Sequence, residues 1–260
     1  MDDDLSGGNE PARRFAGVFR LYGEPAFARL RGARVAVVGI GGVGSWAAEA
    51  LARSGIGRLR LIDLDHVAES NINRQVLALE PTLGMAKVEA MAARIAQIDP
   101  AGEVEAIDAF LEPDNAEALI AGCDVVIDAV DQMRAKLAMV LTCRRLGVPL
   151  LVCGGAGGKR DPSRIQLADL ARAVQDPLLS RLRSRLRREH GYPRGPGRRL
   201  GVDVVFSSEP AIPSVVPCAP LAGGAALGCT GFGSSVAVTA AFGLQAAGWV
   251  LNRLADGARA

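Results

Sequence analysis

The chain has 260 residues, 30 Lys+Arg against 28 Asp+Glu for a formal charge of +2, with 49% hydrophobic and 22% charged residues. This composition excludes disordered, collagen-like and disulfide-scaffold classes, and the length suits one large α/β domain or two small ones with a sizeable core. A near-zero net charge also excludes a chain that grips a polyanion over its whole surface, but it leaves room for a local basic patch.

The first residues, MDDDLSGGNEPARR, are acidic and polar and read as a disordered tail over 1–12 ahead of a single domain at 13–260. Arg34 to Val38 is a short apolar strand that runs into Gly39-Ile40-Gly41-Gly42-Val43-Gly44. A helix follows in SWAAEALARSGIG, with Trp46, Ala47, Ala50 and Leu51 on one face and Gly55 and Gly57 at its end. Arg58 to Ile62 is a second strand that stops at Asp63. Strand, glycine turn, helix and strand in that order open a doubly wound, Rossmann-like and mostly parallel α/β sheet.

Lys87 to Ile98 is the next helix, Val104 to Ile107 a third strand and Cys123 to Val130 a fourth, apolar enough to be buried on both faces. Met133 to Leu146 is helical, and Val148 to Cys153 is a fifth strand that leads into Gly154 to Gly158. The second half is more elaborate. Strand candidates at Ile165 to Leu167 and Val202 to Phe206 flank a helix and the loop GYPRGPGRR. A Pro-, Gly- and Ala-rich stretch from Glu209 to Gly228 precedes a final apolar helix. Gly231 to Leu251 carries no charge and is long enough to span a bilayer, but its Ala, Gly, Ser and Thr content and Gln245 favour a helix buried against the sheet.

Gly39, Gly41 and Gly44 form a G-x-G-x-x-G turn at a strand end and a helix start, where backbone N–H groups can approach a phosphate. Asp63, at the end of the next strand, is placed to accept hydrogen bonds from a ribose diol. These features alone fit NAD as well as ATP. The following residues favour a triphosphate: Arg74 and Lys87 can neutralise its oxygens, while Asn71 and Asn73 supply orienting amides. Asp131 follows the fourth strand, where a carboxylate can hold Mg2+ bridging the phosphates, or can simply cap the next helix.

The GIGGVG turn, Asp63 and Asp65 in LIDLD, SNINRQ, Gly84 to Lys87 and the D-A-V-D of Asp128 to Asp131 together resemble the ubiquitin-activating-enzyme-like adenylating family. RFAGVFRLYGEPA, GGAGG at Gly154 to Gly158, IQLADLARAVQDPLLSRLR, LGVDVVFSSE and GFG at Gly231 to Gly233 extend the likeness over nearly the whole chain, to the branch that dehydrates a modified adenosine in tRNA. Ala211 to Gly228 departs from that pattern. The resemblance implies ATP as co-substrate, Mg2+ at Asp131, Gly42 and Asp65 in the ATP site, and adenylation of a carboxylate on an anticodon-loop nucleoside. It also implies Arg74 and Asp131 as catalytic groups, and Arg20 as an arginine that reaches into the partner's site of a homodimer. A cysteine desulfurase or sulfur-acceptor partner stays open. Ser207, Ser208 and Glu209 are candidate neighbours of the site, and Cys229 is more a buried thiol than a nucleophile.

Only Lys87, Lys136 and Lys159 are lysines, so 27 of the 30 cations are arginine and arginine clusters are discounted accordingly. Even so, residues 181–200 hold Arg181, Arg183, Arg185, Arg187, Arg188, Arg194, Arg198 and Arg199 against Glu189 alone, a local +7 in a chain of +2. A basic island on an acidic body is the footprint of a tRNA backbone contact, or else an arginine-rich solvated helix. Five scattered cysteines without a C-x-x-C pair, and two histidines, argue against structural zinc and for a reducing cytoplasm. Missing zinc pairs also argue against the nearest alternative, an adenylyltransferase for the C-terminus of a ubiquitin-like sulfur carrier. An NAD-dependent oxidoreductase would leave Arg74, Lys87 and Asp131 without a task. A membrane-docked scaffold would have to use the 231–251 stretch.

Overall fold

A computed structural model of the chain describes residues 13–195, 197–213 and 232–257. The expected tail over 1–12, most of the stretch departing from the family pattern, Cys218, Cys229 and Gly231 lie outside the described residues. Seven strands form one sheet in the order β3-β2-β1-β4-β5-β7-β6. They are β1 (Arg34–Val38), β2 (Arg58–Ile62), β3 (Glu103–Ile107), β4 (Val125–Asp128), β5 (Leu150–Cys153), β6 (Ile165–Asp169) and β7 (Asp203–Ser207). Every neighbouring pair is parallel except β6 with β7, so the sheet is doubly wound with one antiparallel edge strand.

The order reverses beside β1, which pairs with β2 on one side and β4 on the other. In such sheets the carboxyl ends of the strands flanking the reversal open into a crevice that no crossover helix covers. The β1 and β4 ends are the glycine turn and the D-A-V-D segment. The chain topology therefore puts the two motifs side by side, although about ninety residues separate them in sequence.

Alternation along β1 sends Val35 and Val37 to one face and Ala36 and Val38 to the other, all fully or nearly fully buried. On the first face pack α3 (Gly44–Arg53), α4 (Lys87–Ile98) and α8 (Val236–Ala255). The second face carries α5 (Ala116–Ile120), α6 (Met133–Leu146) and α7 (Pro177–Glu189). Helix α8 crosses α3 at Gly243, where a Cβ would come within 2.5 Å of the Val43 carbonyl oxygen and 2.8 Å of Ala47 N. The final helix is thus buried on one side, as expected, though it starts five residues later than the charge-free run and continues to Ala255. Gln245 lies on its exposed side, and among the described residues no helix is long and apolar enough to cross a membrane.

Two helices escape sequence patterning, α1 (Ala16–Tyr22) and α2 (Glu24–Gly32). Each is short, and Gly23 at φ +80° with Pro25 behind it breaks the periodicity between them. Phe15, Phe19 and Phe27 hold the pair together, with ring centroids 6.2 and 5.8 Å apart. The fourth strand is shorter than its apolar run, because Ala129 and Val130 leave the sheet to meet the glycine turn.

Candidate active site

The glycines of the turn serve different physical purposes. Gly39 has φ +88°, and a Cβ there would sit 2.9 Å from the Ala129 carbonyl carbon and oxygen. Gly44 starts α3 so close to the turn that its Cβ would fall 1.8 Å from the Gly39 oxygen. These two allow the backbone to fold back on itself and on the β4 exit. Gly41 differs, since its Cβ would meet nothing nearer than 4.0 Å. The N-cap of α3 is Val43, with no side-chain cap, and the Gly41, Gly42 and Val43 N–H groups have no hydrogen-bond acceptor among the described residues. Open donors at a helix N-terminus beside an open glycine are suited to a phosphate.

Asp63 closes one side of the turn. Its Oδ2 accepts the Ile40 N–H at 2.6 Å and its Oδ1 the Asp65 N–H at 2.9 Å. Burial pushes the Asp63 carboxyl above its ordinary value, while Lys87 and the two N–H donors pull it back. Each carboxylate oxygen has two lone pairs, so capacity remains for a ribose hydroxyl. Backbone pairing between residues 65–67 and 84–87 brings Lys87 alongside, and its ammonium donates to Asp65 Oδ2 at 2.6 Å.

The SNINRQ loop covers the other side. A Cβ on Gly42 would touch Arg74 Cγ and Cδ at 3.2 and 3.3 Å, so the Arg74 stem lies across the turn. Trp46 Nε1 donates to the Arg74 carbonyl at 3.0 Å and fixes the loop to α3. Arg74 Nη1 donates to the Ser70 carbonyl at 2.8 Å and to Asn73 Oδ1 at 3.0 Å, and Asn73 Nδ2 donates to the Ser234 carbonyl at 3.2 Å. Burial draws the Arg74 pKa down, although a guanidinium stays charged. A half-buried cation acts through a lower dielectric than a solvated one. Asn71 turns inward, and its Oδ1 accepts the Ala68 N–H at 3.1 Å. That oxygen shapes the loop, and no hydrogen bond among the described residues engages its Nδ2 amide. Gln75 Oε1 and Thr239 Oγ1 are both buried without a hydrogen-bond partner next to Gly41 and Gly42 respectively; Gln75 closes the SNINRQ motif, while nothing in the sequence marks Thr239.

Asp131 is exposed at the β4 exit and has no hydrogen bond or ion pair among the described residues. It does not cap α6, whose N-cap is Gln132. Behind it, Asp128 and Lys136 form an ion pair of 2.9 Å in which both side chains have 0% exposure. On the far side of the crevice, buried Lys159 donates to the Gln175 carbonyl at 2.9 Å and to the Glu209 carbonyl. Glu209 Oε2 accepts the Arg160 and Asp161 N–H groups at 2.9 and 3.0 Å, so this carboxylate holds the loop after GGAGG. Ser207 is fully buried and accepts the Glu209 N–H at 3.2 Å.

Two sets of expected site residues lie elsewhere. Arg20 is exposed on α1, whose ends are tied to the amino edge of the sheet: Phe15 packs on Gly55 ahead of β2, and Tyr22 Oη donates to Asn252 near the end of α8. Asp176 binds the Gly155 N–H at the carboxyl edge, so α7 begins there and carries the basic island toward the amino edge. Arg183 is not part of an open basic surface, because its Nη1 donates to the Leu170 and Ala173 carbonyls. Arg185 and Arg188 pair with Glu189, Arg187 donates to the Pro193 carbonyl, and Arg199 approaches Asp169 at 3.7 Å. Arg181 and Arg198 are exposed.

Residues 13–254 match the ThiF family. The chain belongs to that family. It is 47% identical over 250 residues to the tRNA threonylcarbamoyladenosine dehydratase of Escherichia coli K12, covering 93% of each chain. The crystal structure of the E. coli enzyme in complex with ATP superimposes with a TM-score of 0.85 at 45% identity, over 95% of each chain. A molybdopterin-synthase adenylyltransferase from Salmonella typhimurium is 38% identical over 122 residues, 47% of this chain and 49% of that one.

The different duties of the glycines give a test. Gly44→Ala should lower the melting temperature, since its Cβ collides with backbone, at a cost of about 1–3 kcal/mol. Gly41→Ala should melt with the parent protein yet lose ATP affinity in calorimetry, because only a ligand competes for that space. Equal melting and equal ATP affinity in both variants would contradict this division.

Proposed function

We propose that the chain is an ATP-dependent tRNA threonylcarbamoyladenosine dehydratase. What carries the reading is 47% identity over 93% of both chains to such an enzyme, joined to a crevice at the sheet reversal lined by open N–H donors, Asp63, Arg74, Lys87 and Asp131. In this reading ATP lies with its phosphates over Gly41, Gly42 and the α3 N-terminus and its ribose on Asp63. Gly39 and Gly44 shape the turn, Asn71 and Asn73 hold the loop that aims Arg74, and Asp65 holds Lys87.

A carboxylate oxygen of the threonyl group attacks the α-phosphorus, the bond to the bridging oxygen breaks, and pyrophosphate leaves. The ureido oxygen or nitrogen of the same side chain then attacks the activated acyl carbon and gives up its proton. AMP departs with the oxygen that joined it to the carbonyl. The nucleoside has lost one water, and ATP has become AMP and pyrophosphate. Bringing two anions together needs alignment and charge neutralisation more than a strong base, and the half-buried Arg74 with Lys87 supplies the charge. Asp131 is a free carboxylate, and Mg2+ is normally held by one or two carboxylates, phosphate oxygens and waters, so the residue suits that ion. Bound there, Mg2+ would neutralise the polyphosphate.

Arg20 is too far from its own crevice to serve it, because β1 alone separates the two edges by about 16 Å. Its role belongs to a symmetric homodimer in which it reaches the partner's nucleotide, and the exposure of Leu21 beside it, 76%, fits an interface. The tRNA contact falls on Arg181, Arg185, Arg187, Arg188, Arg198 and Arg199, with Arg183 serving the fold.

Mass spectrometry of nucleosides from threonylcarbamoylated tRNA, incubated with the protein and Mg-ATP, should reveal loss of one water. Asp131→Ala and Arg74→Ala should each slow this by at least about 100-fold. An unchanged nucleoside, with ATP–pyrophosphate exchange only after a ubiquitin-like carrier is added, would replace this reading by carrier adenylation. For tRNA affinity, replacing Arg181, Arg188 and Arg198 together by Ala should reduce the slope of log K against log salt by about 2–3. Arg183→Ala should lower the melting temperature and leave that slope alone; the reverse pattern would contradict the assignment.

A further inference from the structure

All three lysines are buried, Lys87 at 6%, Lys136 at 0% and Lys159 at 3% exposure, in a chain whose other 27 cations are arginine. A compact ammonium on a flexible stem fits a closed pocket that a planar guanidinium fork does not. Lys87 is at the nucleotide crevice and Lys159 ties two carbonyls behind the GGAGG loop. Lys136 stands apart. It lies inside α6, and among the described residues its ammonium donates to Asp128 alone, at 2.9 Å, with both side chains fully buried.

Such a pair is weak evidence for a stability role, since apolar residues of similar volume often hold a core as well. The pair is also imperfect, because Asp128 Oδ2 is buried with no hydrogen-bond partner. Its geometry points elsewhere. The Asp128 oxygen that receives the Lys136 ammonium also accepts the Val130 N–H, at 3.1 Å. Ala129 between them donates its N–H to the Val38 carbonyl at 2.8 Å. Ala129 and Val130 then form the wall against which Gly39 turns, so close that a Cβ there would lie 2.9 and 3.0 Å from them. Asp131 is the next residue.

We infer that Lys136 is a positioning residue for the adenylation step: through Asp128 it pins the β4 exit and so fixes the Asp131 carboxylate against the glycine turn. This inference rests on the dehydratase reading. Removing Lys136 alone strands a buried carboxylate and is expected to destabilise the fold. The informative protein is therefore the double variant Lys136→Met/Asp128→Asn, which removes both charges and keeps an oxygen for the Val130 N–H.

Melting temperature, AMP affinity by calorimetry, and kcat and KM for ATP in the dehydration assay should be measured on the full-length parent and on both variants. The double variant should recover the melting temperature lost in Lys136→Met and bind AMP as the parent does. Its kcat should stay at least about 10-fold low with KM little changed, the signature of an interaction that matters in the transition state. Recovery of kcat together with the melting temperature would make the pair purely structural and overturn the inference. A parent protein that binds no AMP and dehydrates no tRNA would overturn the reading of the site, and the inference with it.

Discussion

The close approach of two backbones at the sheet reversal governs the molecule. Gly39 bends with a positive φ directly against Ala129, and Gly44 begins α3 against the Gly39 oxygen, each at a distance that no side chain would permit. Because the turn is that tight, α3 directs its uncapped N-terminus into the crevice, and the β4 exit delivers Asp131 beside it. Helix α8 reaches the same region, with Gly243 seated on Val43 and Ala47 and Thr239 under Gly42. The packing of the first-face helices and the geometry of the candidate site thus share one origin.

Much of this was legible in the sequence because local chemistry and topology agree there. The glycine turn, Asp63 and Asp131 follow strands, and Lys87 opens a helix, that periodicity reveals, while Arg74 stands out by its polar motif; the reversal of strand order gathers them at one edge. The paired lysine and carboxylate at 136 and 128 were not legible, since a lysine in a helix ordinarily reads as solvated and only the packing reveals it at 0% exposure. Thr239 was hidden for the same reason, and Gln75 was visible only as part of a motif, without a role. Asn71 illustrates the converse: a polar residue in a promising motif spends its side-chain oxygen on the local turn. Helices α1 and α2 leave no pattern in the sequence, because a Gly and a Pro interrupt segments too short to show a period.

The two edges of the sheet carry different tasks in this account. The carboxyl edge carries the nucleotide chemistry, while Arg20 and much of the arginine island belong to the amino edge. A substrate as large as a tRNA can reach both, and a symmetric pair of chains would let the amino edge of one serve the carboxyl edge of the other. Composition alone overstates the basic surface. Of eight arginines in 181–200, Arg183 spends its guanidinium on backbone carbonyls, and Arg185 and Arg188 on Glu189, while Arg181 and Arg198 remain exposed.

Adenylation of the threonyl carboxylate itself leaves an isotopic trace. The tRNA nucleoside would be labelled with 18O in both carboxylate oxygens and turned over with the protein and Mg-ATP. If the carboxylate attacks the α-phosphorus and AMP leaves with the oxygen that joined it to the carbonyl, one label must appear in AMP and none in pyrophosphate, with the other label kept in the cyclised nucleoside. AMP without label, alongside a nucleoside that has lost water, would contradict the account.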